Sequence, residues 1–519
     1  MHKIYLIIFL VLFAKLTADS TRENADEIDQ FVIQTMESWS TPGIALSIVQ
    51  NDDVVKAQGY GTRERGVDAP VDENTLFQIC SLTKAFTGLT ASMLVDEKRL
   101  EWEEPVRTYW PEFKLKDETA TQLMTIRDLL SGRTGLPSTG MQAWRLWWHT
   151  NRTEDELIQR TAEMNPAFSF RAHFSYSNMA YVLASKVMEK VSGKPWQEYC
   201  AEKIFKPLEM ENTTFNFNTF LESDNKVKSH LAPYFRKDPI AYQSLDMIAA
   251  AGGIISNAKD MTKWLKYLLQ QGPLIKETQN AQSVIEPIIS NVYKWNIYTY
   301  FNPVAAYGYG WMLYRVGDKE IYMHTGLSDG AQTLLAIVPE EKLGICILSN
   351  QSENPALACL LNSLLDKYLK KEPRDWNKIG QDAIKSMELE FDAQITQIKA
   401  DRNKDLAPTF LLQNYSGEYV NLAFGTVRIS KDENSLLITT YNNDKGSLEH
   451  WQGDDFSITG IPSYTPILQQ VTFILSDDKK DIIGLRMPCV GFFKKEPSPQ
   501  EPKNDKPIED TPQKSEILT

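Results

Sequence analysis

The stretch FQICSLTKAFTGLTASML, residues 77–94, places Ser81 and Lys84 where an apolar strand pattern changes into an apolar helix pattern. If a helix begins at Ser81, Lys84 lies three residues on, on the same face of the helix. Backbone N–H groups at a helix N-terminus favour developing negative charge. A serine hydroxyl becomes a good nucleophile when a base takes its proton, and a buried lysine with a lowered pKa can be that base. The pair predicts a nucleophile with its activator; the alternative is an N-capping serine beside a solvated lysine.

Two further short motifs carry side chains that suit acyl-transfer chemistry. In FSYSNMAYVLASKVMEKVSG, Tyr176 and Asn178 lie just before a helix pattern. A tyrosine beside two cations can ionise below its usual pKa of about 10 and act as a base, whereas an asparagine can donate a hydrogen bond to a carbonyl. In MHTGLSDG, the sequence His324-Thr325-Gly326 ends one strand pattern, and the glycine would let a substrate backbone lie against that edge. The alternatives are a packed tyrosine, a helix-capping asparagine and an ordinary strand end.

The elements that must position these motifs indicate one sheet built from distant chain segments. GIALSIVQ and VVKAQGYG, separated by NDD, predict a hairpin near the N-terminus. IYMHTGL, GAQTLLAIVP and LGICILSN predict three consecutive strands far along the chain. Helix patterns cover residues 27–38, 81–96, 179–192, 258–270 and 354–371. The predicted fold class is α/β of the α+β type, an antiparallel sheet flanked by helices with a helical lobe beside it.

The ends of the chain differ in character from this block. Residues 1–18 have a basic start, an apolar run and a small residue at Ala18, which predicts a secretory signal peptide and a secreted or periplasmic protein; a retained anchor is the alternative. We expect a catalytic domain over 25–371, a charged helical linker over 372–405 and a small all-β, barrel-like domain over 406–495. The tail, 496–519, is rich in proline and charge and is predicted to be disordered.

Composition excludes some classes of function. The net charge of −13 over 519 residues argues against a nucleic-acid surface, and no second segment is long and apolar enough to span a membrane. The five cysteines form no Cys-x-x-Cys pair, and the six histidines form no metal-binding pattern. There is no glycine-rich phosphate loop, so the expected mechanism needs neither cofactor nor metal. The expected partner is a small-molecule or peptide substrate; the sequence leaves the oligomeric state open.

The order of the three motifs, together with TIRDLLSGRTGLP, PLEMENTTF, AAGGIISNAKDMTKWL and YGYGW, resembles a known family. Residues 25–365 resemble the class C β-lactamase-related serine hydrolases, which are penicillin-binding-protein-like and include D-amino-acid-specific peptidases and esterases. The β-rich end resembles a small domain that is often appended to them. The resemblance implies that Ser81 is acylated and that Lys84 and Tyr176 share the proton transfers.

The same resemblance assigns the remaining site residues. Asn178 orients the substrate, the motif His324-Thr325-Gly326 contributes to substrate binding, and the backbone N–H groups of Ser81 and Leu327 form the oxyanion hole. Which of Lys84 and Tyr176 is the acylation base stays open, as it does for related enzymes.

Two departures from the family pattern bear on the substrate. His324 stands where β-lactamases commonly have lysine, and a neutral imidazole is not a permanent cation, so an ester or peptide is favoured over a β-lactam. Arg133 in SGRTGLP is also unusual, and a structural role is expected for it. Trp144, Trp147 and Trp148 either line the pocket or pack in the core. The rival functions are a penicillin-recognising sensor or an inactive scaffold on the same fold, and the β-domain can be a specificity element.

Overall fold

The computed structural model describes residues 27–138, 144–148, 150–233, 236–271, 306–352, 355–433, 435–461, 470–487 and 490–497. The chain forms two compact units, Met1–Gln397 and Ile398–Thr519. The predicted signal peptide, Cys489 and the tail beyond residue 497 lie outside the described residues.

The first unit is built on a seven-stranded antiparallel sheet, which confirms the predicted fold class. The strands are β1 Gly43–Gln50, β2 Asp53–Gly61, β5 Ala306–Gly308, β6 Trp311–Val316, β7 Lys319–Ser328, β8 Ala331–Val338 and β9 Leu343–Ser349, with a separate pair formed by β3 Phe77–Gln78 and β4 Ile255–Ser256. The strand order in the sheet is β2-β1-β9-β8-β7-β6-β5, so strands from the two ends of the unit lie side by side. Both β1 and the neighbouring β9 are almost wholly buried, because helices cover the sheet.

Helices flank this sheet and form the lobe. The helix α2, Thr83–Asp96, is buried over most of its surface, so it runs through the interior of the unit. The other helices are α1 27–39, α3 Val106–Tyr109, α4 Glu118–Leu123, α5 Ile126–Ser131, α6 Trp144–Trp147, α7 Glu154–Ala162, α8 Asn178–Ser192, α9 Trp196–Cys200, α10 Phe217–Glu222, α11 Ala249–Gly252, α12 Ala258–Gln271, α13 Ala356–Tyr368 and α14 Trp376–Ala400. Among these described helices, none is long and apolar enough to cross a membrane.

Three strands of the first unit were not among the predicted ones, namely the two-residue strand β4 and the strands β5 and β6. The short strands β5 and β6 form a hairpin around Tyr309 and Gly310, both of which have positive φ. The apolar and aromatic residues of this hairpin follow one another without alternation, since both faces of the strands are buried. The period-two pattern that identifies a strand is therefore absent from YGYGW.

The second unit contains a closed barrel of eight antiparallel strands. Side chains fill the barrel, including Tyr415, Tyr419, Phe456 and Phe473, whose rings pack against one another. The strands are β10 Gly417–Asn421, β11 Gly425–Asp432, β12 Ser435–Thr439, β13 Lys445–Gln452, β14 Asp455–Thr459, β15 Gln470–Leu475, β16 Ile482–Met487 and β17 Gly491–Lys495.

The sequence indicated six of these eight strands. It missed β13, in which Leu448 is the single fully buried side chain, and β17, which is short and ends in lysines. The segment proposed as a linker contains the 25-residue helix α14, which continues past Gln397, the last residue of the first unit.

Candidate active site

The backbone before Ser81 is sharply bent. Cys80 has a φ of +51°, a left-handed conformation that is uncommon for a residue with a side chain and costs about 1–3 kcal/mol. A 3-10 turn, Cys80–Leu82, follows, and the α-helix begins only at Thr83. The predicted helix start at Ser81 is therefore a tighter turn, which still places Lys84 beside Ser81.

Lys84 is the most unusual charged residue of the first unit. It is completely buried, and its Nζ lies 3.0 Å from Ser81 Oγ and 2.7 Å from the carbonyl oxygen of Ala251. Burial holds the pKa of Lys84 well below its ordinary value, and the neighbouring Cys80 opposes this shift. Because the shift favours the neutral amine, Lys84 can accept the proton of Ser81.

Aromatic rings surround the Lys84 amine. Its Nζ lies 4.9 Å from the ring centroid of Tyr176 and 5.3 Å from that of Tyr181. The Tyr181 hydroxyl lies 3.0 Å from that of Tyr307, and the Tyr307 ring in turn contacts both Tyr176 and His324. The structure thus brings together the predicted residues Ser81, Lys84, Tyr176 and His324, and adds a buried tyrosine pair behind them.

Tyr176 and Asn178 lie on a turn that is held by a helix cap and by hydrogen bonds to a buried carboxylate. Ser177 caps the helix α8, so Asn178 is its first residue and is 5% exposed. Arg171, five residues before Tyr176, has a φ of +64° and makes three hydrogen bonds, of 2.7–3.1 Å, to the fully buried carboxylate of Asp128. Arg133 donates to the same carboxylate at 3.0 Å.

This arrangement gives Arg133 the structural role that was expected for it. Asp128 also completes a capping box with Thr125 at the start of α5, so one carboxylate joins the helix, the Arg133 turn and the Arg171 turn. Further along the same chain segment, the Ser175 N–H donates to the Gly132 carbonyl. The position of Tyr176 therefore depends on ion pairs between the buried Asp128 carboxylate and two partly exposed arginines, none of which takes part in the proposed chemistry.

The strand β7 passes directly beside the nucleophile turn. It pairs with β8 as far as Ser328, whereas its pairing with β6 ends at Met323. Among the described strands, the edge from His324 to Ser328 is thus open on one side, so the Leu327 N–H can serve an oxyanion. The Leu327 side chain is 54% exposed.

Gly326 has a role that the sequence did not show. A Cβ added there would lie 2.2 Å from Thr333 Oγ1 and 2.7 Å from the Ile79 carbonyl oxygen. Thr333 Oγ1 itself donates to that carbonyl at 2.8 Å. The glycine lets β7 approach the backbone on which Ser81 is carried, which is a closer constraint than the expected contact with a substrate backbone.

His324 is held as a neutral side chain. It is 1% exposed, and its Nδ1 lies 2.6 Å from the carbonyl oxygen of Thr325, which fixes the proton on Nδ1. Burial and the charge of Lys84 lower the pKa of His324 to about 3. The imidazole therefore does not replace the cation that a lysine would supply at this position.

The sequence did not identify several residues around the site, because they contribute through backbone atoms or through packing. The Ala251 carbonyl accepts a hydrogen bond from Lys84, and the Ala250 carbonyl accepts one from Thr87, which lies on α2 with Lys84. Gly310 lies so close to α2 that an added Cβ would be 2.4 Å from the Lys84 carbonyl carbon. The stretches AAGGIISNAKDMTKWL and YGYGW contain these residues but give no sign of such roles.

Comparison with known proteins shows to which family the chain belongs. Residues 28–370 match the Beta-lactamase family, which is more than half of the chain. The chain belongs to the Beta-lactamase family. The unguisins hydrolase of Aspergillus campestris is 28% identical over 82% of each chain, and protein flp of Staphylococcus aureus strain MW2 is 26% identical over 64% of each chain. Hydrolases are thus among the relatives of this family member.

Solved structures share the Beta-lactamase-family fold. The octameric penicillin-binding protein homologue from Pyrococcus abyssi covers 90% of this chain and 99% of its own, with a TM-score of 0.57 and 22% identity. D-amino acid amidase from Ochrobactrum anthropi covers 70% and 99%, with a TM-score of 0.52 and 20% identity. At these identities the likeness shows the fold alone.

Trp147 is 4% exposed and its ring packs on Trp148, which favours the packing role for that residue. Within the described residues, no group of three or more His, Cys, Asp or Glu side chains is arranged to hold a metal. Cys80, Cys200, Cys346 and Cys359 are all buried as free thiols.

Proposed function

We propose that this Beta-lactamase-family protein is a secreted serine hydrolase that cleaves an ester or amide through an acyl-enzyme on Ser81. The observation that carries the proposal is the buried Lys84 amine, 3.0 Å from Ser81 Oγ, with its pKa lowered by burial. A lysine that only extended to solvent would be exposed and charged. Lys84 is buried instead, and among the described residues no carboxylate acts on its pKa.

The proposed acylation step moves one proton and exchanges one acyl bond. Lys84, or Tyr176 acting with it, takes the proton of Ser81 as Oγ attacks the substrate carbonyl carbon. The resulting oxyanion accepts hydrogen bonds from the N–H groups of Ser81 and Leu327, and Asn178 orients the substrate. The tetrahedral intermediate then collapses with cleavage of the bond to the leaving group. The base gives the proton that it took from Ser81 to the leaving alcohol or amine.

Deacylation repeats these steps with water. The same base takes a proton from water as the water oxygen attacks the Ser81 ester. The acid leaves, and the proton returns to Ser81 Oγ. The ring of the half-buried Tyr176 and the buried pair Tyr181 and Tyr307 lower the local polarity, which helps to keep Lys84 neutral at the start of each half-reaction.

The proposed substrate is an ester or a peptide-like amide, with D-amino-acid peptides and β-lactams as further candidates. The neutral, buried His324 supports this order, since it supplies no permanent charge for the carboxylate of a β-lactam. The names of one relative, unguisins hydrolase, and of one structural neighbour, D-stereospecific amidohydrolase, are in keeping with amide hydrolysis. Secretion rests on the pattern of residues 1–18.

The test compares Ser81→Ala with Ser92→Ala, which removes a hydroxyl from the helix α2 that follows the nucleophile turn. The assays are turnover of p-nitrophenyl acetate and of a D-amino-acid amide, and labelling by a fluorophosphonate and by a fluorescent penicillin. We expect turnover and fluorophosphonate labelling in the wild type and in Ser92→Ala, and neither in Ser81→Ala. Activity retained by Ser81→Ala would remove this residue from its role, and stable penicillin labelling without turnover would indicate a sensor.

A further inference from the structure

The Lys84 amine needs different hydrogen-bond partners once it has taken a proton. A neutral amine has two N–H donors and one lone pair, whereas an ammonium group has three donors and no acceptor. Among the described residues, two oxygen atoms lie within hydrogen-bond distance of Lys84 Nζ: Ser81 Oγ at 3.0 Å and the Ala251 carbonyl oxygen at 2.7 Å. Within that part of the chain, the third N–H of the ammonium form has to be stabilised by something other than an oxygen.

The ring of Tyr181 lies over the Lys84 amine. Its centroid is 5.3 Å from Nζ, within the distance of about 6 Å at which the face of a ring attracts a cation. The face of an aromatic ring is negative because of its quadrupole, so this contact is stronger for the ammonium form than for the neutral amine. Tyr181 is 2% exposed, so the contact is shielded from bulk water.

The hydroxyl group of Tyr181 is engaged with other partners. It donates to the Leu130 carbonyl oxygen at 3.1 Å. Since a phenol has one proton, the Tyr307 hydroxyl is the donor in the 3.0 Å bond between the two tyrosines. Burial raises the pKa of Tyr181, which keeps its phenol neutral. Tyr181 therefore offers Lys84 the face of its ring and does not compete with Tyr176 as a base.

Three segments of the first unit fix the position of this ring. Tyr181 lies three residues after Asn178, the first residue of α8. The Leu130 carbonyl, near the end of α5, also accepts a 2.9 Å hydrogen bond from the Tyr309 N–H. Tyr307 and Tyr309 belong to the hairpin of β5 and β6. The stretch YGYGW thus helps to hold the Tyr181 ring against the Lys84 amine.

The other titratable groups that face Lys84 within the described residues supply no negative charge. Burial raises the pKa of the Cys80 thiol, on the nucleophile turn, to about 11, and lowers the pKa of His324, on β7, to about 3. Tyr176, on the turn before α8, has its ring centroid 4.9 Å from Nζ. The helix α11, Ala249–Gly252, has no ionisable side chain.

A buried ring acts on the Lys84 amine in two opposite ways. By excluding water, it disfavours the ammonium form and lowers the pKa of Lys84. Its negative face favours the same form and limits how far the pKa falls. A leucine side chain at this position would exclude water but would lack the negative face, so an experiment can separate the two effects.

We propose that Tyr181 is a positioning residue whose ring face stabilises the ammonium ion that forms when Lys84 takes the proton of Ser81. In that step the O–H bond of Ser81 breaks and an N–H bond forms on Lys84. The electron pair of the broken bond stays on Oγ, which attacks the substrate carbonyl carbon. Tyr181 exchanges no proton itself. The inference rests on the proposed function, because it concerns the base that activates Ser81.

The experiment changes the electron density of the ring at this position while keeping its shape. Tyr181→Phe gives the reference ring, and monofluoro- and trifluorophenylalanine, introduced there by nonsense suppression, give faces that are progressively less negative. Tyr181→Leu removes the ring. For each protein, kcat/KM with p-nitrophenyl acetate is measured against pH, spontaneous hydrolysis is subtracted with Ser81→Ala, and the free energy of unfolding is measured in urea.

The matched control is Tyr199→Leu, the same change at another buried tyrosine. Tyr199 lies on α9, is 3% exposed, and has its ring centroid 5.4 Å from the Nζ of the partly exposed Lys203. This variant removes a ring that contacts a different lysine. It should lose stability and keep the wild-type pH profile.

We expect the midpoint of the acid limb of kcat/KM to fall from Tyr181→Phe through the two fluorinated rings to Tyr181→Leu, by about 0.4–1.5 pH units in total. The plateau value of kcat should fall in the same order, since a weaker base takes the proton less readily. A midpoint that is constant across the three rings, or that rises in Tyr181→Leu, would overturn the role of the ring and leave the hydrolase intact. The three rings decide the question if Tyr181→Leu does not fold. Absence of turnover in the wild type would instead count against the proposed function.

Discussion

Gly326→Ala should separate catalysis from stability. The added Cβ would lie 2.2 Å from Thr333 Oγ1, 2.7 Å from the Ile79 oxygen and 2.9 Å from Cys80 Cβ. Because carbon atoms pack at about 3.5–4.0 Å, either β7 or the nucleophile turn must move by roughly 0.5–1 Å. A misplacement of about 1 Å can cost about 100-fold in rate, which corresponds to about 2.7 kcal/mol of transition-state stabilisation.

The assay measures kcat/KM with p-nitrophenyl acetate, together with the free energy of unfolding in urea. Overpacking should destabilise Gly326→Ala by about 1–3 kcal/mol. The matched control is Gly344→Ala on β9, where the added Cβ would meet only the side chain of Leu265, at 3.0 Å. This control should lose less stability, because the Leu265 side chain can shift by a few tenths of an ångström, and should keep its activity.

A double variant tests which contact matters. Thr333→Ala removes the nearest atom but leaves the Ile79 carbonyl, which belongs to the backbone and cannot be relieved by a side-chain change. Adding it to Gly326→Ala should restore part of the stability and little of the activity. Full activity in Gly326→Ala alone would refute the view that β7 positions the nucleophile turn.

Four further predictions concern the buried ionisable groups. Lys84→Met should lower kcat by about 10²- to 10⁴-fold, the usual contribution of a general base, without loss of stability, since a buried amine is removed. In the wild type, kcat/KM should rise as the pH passes the lowered pKa of Lys84, because the neutral amine is the active form. The free energy of unfolding should also rise with pH between the lowered pKa of folded Lys84 and the ordinary pKa of a lysine. In that range the unfolded chain binds one more proton than the folded chain. Asp128→Asn should cost about 1.5–3 kcal/mol in urea unfolding, since the partly exposed Arg133 and Arg171 lose their charge-assisted hydrogen bonds to this carboxylate, and no loss would contradict its positioning role. His324→Asn should flatten the rise of stability with pH between about 3 and 6.5, because only the unfolded chain protonates this imidazole there; an unchanged slope would mean that His324 is charged in the folded state.

Local sequence signals identified the residues that the structure brings together. The spacing of Ser81 and Lys84 indicated that they would be neighbours, and the Nζ–Oγ distance of 3.0 Å agrees. Alternating and amphipathic patterns likewise located β1, β2, β7, β8 and β9 and the long helices. These features depend on periodicity or short spacing, which one sequence contains in full.

Contacts between distant chain segments escaped the sequence for physical reasons. The Ala251 carbonyl and the Gly310 backbone contribute atoms that every residue has, so their types carry no signal. The bond between Arg171 and Asp128 joins residues 43 positions apart and depends on a positive φ at an arginine, which local propensity disfavours. The buried Asn350, which accepts from Gly43 and donates to Thr62 and Arg63, begins a sequon but has no exposed amide to modify.

In the proposed mechanism the Ser81 hydroxyl, activated by a buried neutral amine, carries the acyl group. The most direct measurement is an acid quench during turnover of a p-nitrophenyl ester, followed by proteolysis and mass mapping of the peptides. We expect one added acyl mass on the peptide that contains Ser81 in the wild type, and none in Lys84→Met at the same time point. An adduct on any other side chain, or turnover with no adduct at any quench time, would contradict it.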